Sequence, residues 1–268
     1  MRVIVLIAAN VFKESVRDRV PYVLVIFAVL LMATSYLISQ LTAGQDVKVI
    51  KDLGLAAMSV IGLLIAVFIG IGLVSKEIER RSIYSVVSKP VGRRQFVVGK
   101  YLGLTGTLVV NVAIMTAAYY LVLGYMSWIE SEAFKQTWPA PAADPALLKA
   151  IVLILGELAL VTAIALFFST FSSPLLSALF TAGFYVAGQF ITDLASIGTV
   201  VKSPAIAAIG RALSFVLPNF EAFDVKSAVV HALPVPVSYV LLTLAYGAVY
   251  VTALLVASAA VFSRRDFK

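Results

Sequence analysis

A chain of 268 residues that is 61% hydrophobic and only 13% charged, with a mean hydropathy of +1.01, is too apolar for a water-soluble domain, where about half the residues are apolar. Its net charge of +7 sits in short basic clusters beside apolar runs, which is how membrane topology is encoded and argues against a nucleic-acid-binding role. The absence of Cys excludes disulfides, thiolate metal sites and cysteine nucleophiles, and the single histidine, His231, excludes a multi-histidine metal centre built by this chain alone.

The first apolar run, Val3 to Ala9, is barely long enough for the core of a signal peptide, and a polar stripe of Asn10, Lys13, Glu14, Arg17 and Asp18 follows at helical spacing. Ile4, Val5, Ala8, Val11, Phe12, Ser15 and Val16 lie opposite that stripe. Residues 1–20 therefore read as an interfacial amphipathic helix, an elbow on the inner leaflet that turns into the first span at Pro21. A cleaved or frayed terminus is the alternative.

Six stretches meet or approach the roughly 20 residues that cross a bilayer, namely 21–41, 53–74, 100–127, 147–171, 174–197 and 237–262. Only Ser172, Ser173 and Pro174 part the fourth from the fifth. As one helix the two would reach roughly 75 Å, which no membrane accommodates, so a tight turn must separate them. The expected fold is an all-α polytopic membrane protein, a single transmembrane domain over residues 1–268 with six transmembrane helices.

Fourteen of the 21 Lys and Arg fall on the side that holds the N-terminal stretch, the segment from Lys76 to Lys100 and the C-terminal Arg264, Arg265 and Lys268. The bias predicts that both termini and that segment are cytoplasmic, in the cell inner (plasma) membrane, and that loops 42–52, 128–146 and 198–236 face out. The last of these is too apolar for a free loop and too broken by Pro204, Pro218, Pro234 and Pro236 for a full span, so it is expected to be re-entrant or interfacial.

An ionisable residue inside a span costs about 2.5 to 3.5 kcal/mol on insertion scales and invites a functional reading. Glu157 falls near the middle of the fourth span. A substrate or proton role stands there beside a carboxylate satisfied by Tyr, Thr or Asn on a neighbouring helix. Asn111 in the third span reads in the same way as a pathway group or interhelical glue, and Asp193 near the outer end of the fifth is expected to be wetted. Gly62, Ala66 and Gly70, and the Gly99 and Gly103 pair, mark close helix packing, either within the chain or in a dimer.

No HExxH or GxSxG motif is present, and the nearest approach to a phosphate-binding loop fails: Gly92 precedes Gly99 by seven residues and Lys100 is followed by Tyr101. The chain therefore cannot hydrolyse ATP by that route. An intramembrane enzyme using Glu157 and Asp193 would need two carboxylates on different spans to meet.

The segment 75–99, with Lys100, carries a third of the Lys and Arg. Glu77, Glu79, Arg80 and Arg81 continue the second span past the membrane, Ile83, Tyr84, Val86 and Val87 supply an apolar face, and Pro90-Val91-Gly92 breaks the chain before Arg93 and Arg94. A loop that serves topology alone accounts for these charges equally well. The pattern E-x-E-R-R-S-I-Y-S-V-V-S-K-P-V-x-R-R-x-F-x-x-G-K, however, resembles the segment between the second and third spans of ABC-2 type transporter permeases. The N-terminal stretch ending in Arg17-Asp18-Arg19, the Leu217-Pro218-Asn219-Phe220 turn and the C-terminal Arg264-Arg265-Asp266-Phe267 are similar to the same family, particularly its small copper-site-maturation and gliding-type branch.

The resemblance implies a non-catalytic membrane subunit of an ABC transporter, mostly an exporter, that pairs with a second permease copy, as a homodimer, and with two separate ATPase subunits. Those subunits would bind the ATP and Mg, so no cofactor is expected in this chain. It implies that Glu77, Glu79, Arg80, Arg81, Ile83, Tyr84, Val87, Pro90, Arg93 and Arg94 form the ATPase-coupling helix. The competing class is a membrane anchor or scaffold whose basic loop docks a partner that is not an ATPase.

Overall fold

In hydrocarbon only a helix satisfies every backbone N–H and C=O within one segment, so long apolar runs fold as helices. The structure is a computed structural model that describes residues 2–39, 46–79, 92–136, 138–193, 208, 210, 213, 214 and 216–264, and the regular elements among them are all helical. They are α1 (Arg2–Arg17), α2 (Arg19–Ser39), α3 (Asp46–Glu79), α4 (Arg93–Ile129), α5 (Glu132–Lys135), α6 (Leu147–Ser169), α7 (Pro174–Gln189), a 3₁₀ turn (Glu221–Phe223), α8 (Lys226–Val230) and α9 (Val237–Arg264). Five of these, α2, α3, α4, α6 and α9, are long and apolar enough to cross a membrane. The expected fifth span, 174–197, is helical over Pro174–Gln189, about 24 Å, breaks at Phe190 and is helical again over 191–193, and residues 194–197 lie outside the described residues.

The elbow breaks at Asp18, earlier than Pro21. Asp18 Oδ1 accepts the Val20 N–H at 3.2 Å, and Pro21 sits inside the first turn of α2, where its missing N–H costs nothing. Helix α1 has three faces. Val11 and Ser15 are buried toward α4, Val5 and Leu6 are exposed apolar residues, and Asn10, Lys13, Glu14 and Arg17 form an exposed polar side.

Glycine decides how α1 meets α4. A Cβ added at Gly103 would lie 2.6 Å from the Ala8 carbonyl oxygen and 2.7 Å from Val11 Cβ, and one added at Gly99 would lie 2.8 Å from Ile7 Cβ. The same device joins α3 to α6, where Gly62 faces Leu158 and Gly70 faces Ala165. Both small-residue stripes are thus consumed inside the chain. The centre of the bundle is α3 and α6, which are mostly buried; α2 and α9 expose most of their surface.

One end of the bundle carries α1 and Gly92 and is called proximal here; the other, distal end carries the segments between α4 and α6 and before α9. At the distal end α3 begins at Asp46, well before the expected start of the second span at 53, and buries Lys51. Its Nζ donates to the Pro141 carbonyl at 2.8 Å, and the Lys51 carbonyl accepts the Tyr119 hydroxyl at 3.1 Å. Lys149 Nζ likewise donates to the Val235 carbonyl at 2.7 Å.

Candidate functional site

Helix α7 stops where another segment enters the bundle. Phe190 leaves helical geometry at φ −107, ψ 28, and the Gly188 carbonyl accepts the Phe220 N–H at 3.1 Å. An orphan carbonyl at the helix end is thereby satisfied by a residue distant in sequence. Gly188 is required there: a Cβ would lie 2.5 Å from the Pro218 carbonyl oxygen and 2.6 Å from the Phe220 ring.

Residues 217–223 form a plug in the space that α7 leaves. Leu217, Phe220 and Phe223 are buried, Phe220 completely. Phe220 packs on Tyr185 with ring centroids 5.1 Å apart, and Phe223 lies against Gly156 of α6 and Gly247 of α9. Gly156 is nine residues into α6, so the plug reaches about 14 Å below the distal end of that helix. Its fold is set by one local bond and two from α9: Asn219 Oδ1 accepts the Ala222 N–H at 3.2 Å, the Tyr246 hydroxyl accepts the Asn219 N–H at 2.8 Å, and Tyr239 donates to the Ala222 carbonyl at 2.8 Å.

Beside the plug lies the buried carboxylate. Glu157 is 1% exposed, and its Oε1 accepts a hydrogen bond from Gln189 Nε2 at 2.8 Å, while Oε2 has no hydrogen-bond partner among the described residues. Tyr185, Lys226 and Asp224 bear on it electrostatically, and Lys226 is paired with Asp224 at 3.1 Å. Glu157 therefore joins α6 to the last turn of α7, next to the residue that admits Phe220. Tyr185 of α7 is the kind of tyrosine partner expected from a neighbouring helix. Gln189, the closer partner, was not expected, because nothing in the run of residues 174–193 indicates which polar residue faces Glu157.

The remaining expected residues fall as follows. Asn111 is buried on α4 with its Nδ2 unpartnered among the described residues, so interhelical glue is not what that atom provides. Asp193 is exposed, about 36 residues along the chain from Glu157 and separate from its hydrogen bonds. Glu77 and Glu79 lie in the last turns of α3 and Arg93 opens α4, with their side chains outside the described residues; Arg94 is exposed. Arg80, Arg81, Ile83, Tyr84, Val87 and Pro90 lie outside the described residues, as does most of 194–215. His231 caps the C-terminus of α8 and is exposed.

A protein-family model described as "ABC-2 family transporter protein" matches residues 5–267. No curated protein matches the chain.

Proposed function

We propose, from the premise that this chain belongs to the ABC-2 transporter family, that it couples ATP hydrolysis by a separate subunit to movement of a substrate outward across the inner membrane. As a permease of that family it is a multi-pass membrane protein partnered by an ABC ATPase. In this reading both termini are cytoplasmic, two ATPases hold the ATP and Mg, and a second copy of the chain completes the translocation unit. Residues 75–99 are the docking element, with Glu77, Glu79, Arg80 and Arg81 at the end of one lever, Ile83, Tyr84 and Val87 as the apolar contact, and Pro90, Arg93 and Arg94 at the start of the next.

The observation that carries this reading is the form of the two helices that flank the segment. Helix α3 runs 34 residues without a break, and its last five, Ser75 to Glu79, continue it about 7 Å past the apolar run that ends at Val74. Helix α4 runs 37 residues from Arg93 and is clamped at its first turns by α1. A push on the segment between them tilts both rods together. Rods of this kind lead to the centre of the bundle, where α3 meets α6 and α6 meets the plug.

The test is charge reversal at Arg80 and Arg81 together with Ile83→Asp and Tyr84→Asp, in the complex with its ATPase. Expected is normal membrane insertion with ATP hydrolysis no longer driving transport. Full transport by these variants would overturn the docking assignment. If no ATPase copurifies with the wild-type chain, the loop serves an anchor or scaffold instead.

A further inference from the structure

Between α4, α6 and α9 runs a groove of about 360 Å³ that none of the roles above uses. Val98 and Leu102 of α4 form one wall, Val251 and Leu255 of α9 the other, Ala159 lies between, and the Phe223 ring closes the inner end. It exists because its lining is small where the helices come closest, at Gly156, Gly247 and Ala248. Leu102, Ala248 and Thr252 on its rim are exposed, so it opens sideways to whatever surrounds the bundle.

Its length and its mouth both point to a lipid. From Leu244 to Leu255 the lining spans eleven residues of α9, about 16 Å, which is one leaflet of a hydrocarbon core about 30 Å thick. Arg94 stands one turn beyond Val98 on the same stripe of α4, exposed and without an ion pair among the described residues. The α4 N-terminus beside it has Gly92 as its N-cap and no side-chain cap, which leaves first-turn N–H groups facing the same point. Phe96 stacks on Phe262 at 5.8 Å, which brings the last turns of α9, ending in Arg264, to the same end. An apolar slot one leaflet deep, with the cationic Arg94 one turn beyond its proximal end, complements an acyl chain below an anionic phosphate.

We propose that the groove retains one anionic phospholipid of the proximal leaflet, with an acyl chain between α4 and α9 and its phosphate at Arg94. The lipid touches Phe223, so its site is continuous with the plug.

The full-length chain in nanodiscs of phosphatidylcholine with a minor fraction of phosphatidylglycerol tests this, using phosphatidylglycerol that carries a diazirine in its acyl chain. Expected is crosslinking concentrated at residues 98–102 and 244–255, with phosphatidylglycerol preferred over the matching phosphatidylcholine probe. Arg94→Gln, at an exposed position, should reduce that preference about fivefold, the worth of one basic side chain at an anionic surface. Ala248→Trp, which fills the slot from its rim, should abolish the concentrated crosslinks. Equal labelling by the two lipids, labelling spread evenly over α2 and α9, or disulfide-linked dimers through Thr252→Cys would overturn the proposal, the last by showing that a second copy covers the groove.

Discussion

The hydrogen bond from Gln189 to Glu157 ties the end of α7 to the centre of the bundle, and Gln189→Leu removes it without changing the bulk of the side chain greatly. A bond to a charged acceptor contributes about 1.5 to 3 kcal/mol in proteins at large, whereas bonds inside bilayers average about 0.6. Glu157 Oε2 has no close hydrogen-bond partner among the described residues, so losing the Gln189 bond leaves the carboxylate with only the neighbouring Tyr185 on α7. That places the cost toward the upper range, about 1.5 kcal/mol, or a fall of about 3 to 6 °C in thermal midpoint for a chain of this size. The assay is thermal unfolding in a single detergent, followed by the fluorescence of Trp128 and Trp138. In a Glu157→Leu background the same Gln189→Leu change should cost less than about 0.5 kcal/mol, because the two residues act through one another. Additive effects, or a single-mutant cost below about 0.5 kcal/mol, would refute the reasoning and leave Tyr185 or Lys226 as the group that holds the carboxylate.

Three further outcomes follow from the packing. Gly103→Val places a side chain against the Ala8 carbonyl and Val11 and should cost about 1 to 3 kcal/mol by overpacking; a cysteine in place of Phe12, the only thiol in the chain, should then become more reactive to maleimide, whereas unchanged reactivity would show that α1 tolerates the intrusion. Lys51→Met deletes the bond to the Pro141 carbonyl and should make the distal segment around 130–146 more sensitive to limited proteolysis, with an unaltered digestion pattern counting against that role. Ala232 holds φ at 58°, so Ala232→Gly should raise stability by about 0.5 to 1 kcal/mol in the same unfolding assay, and a lower midpoint would contradict the left-handed geometry.

How much of this was legible beforehand depends on whether a feature is set within one segment or between two. The apolar runs that became α2, α3, α4, α6 and α9 could be read from length alone, because the bilayer fixes how long such a run must be. Their ends could not. Lys51 was counted as a loop residue because its charge is visible in the sequence while the carbonyl that accepts it, 90 residues away, is not. The short α7 escaped for a related reason. Nothing local in the run up to Thr192 and Asp193 foretells the break at Phe190, which falls where the Phe220 N–H reaches the Gly188 carbonyl. The stripes at Gly62 to Gly70 and Gly99 to Gly103 announced close contact but not the partner, since small residues admit any backbone that reaches them.

That indifference of glycine bears on how force could pass through the molecule. Where α3 meets α6 at Gly62 and Gly70, and α1 meets α4 at Gly99 and Gly103, the glycines let Leu158, Ala165, Ile7 and Val11 reach a backbone that has no side chain of its own to give way. Interfaces of that kind move as units or repack discretely, since close-packed contacts deform little before they clash. The contact at the plug differs. Phe220 and Phe223 reach Gly188, Gly156 and Gly247 through their rings, and Phe220 is held to α7 by its N–H bond to the Gly188 carbonyl and by its packing on Tyr185. The tightest of these contacts is at Gly188, where an added Cβ would lie 2.5 Å from the Pro218 carbonyl oxygen, so Gly188→Ala is the substitution that would displace the plug from α7 first.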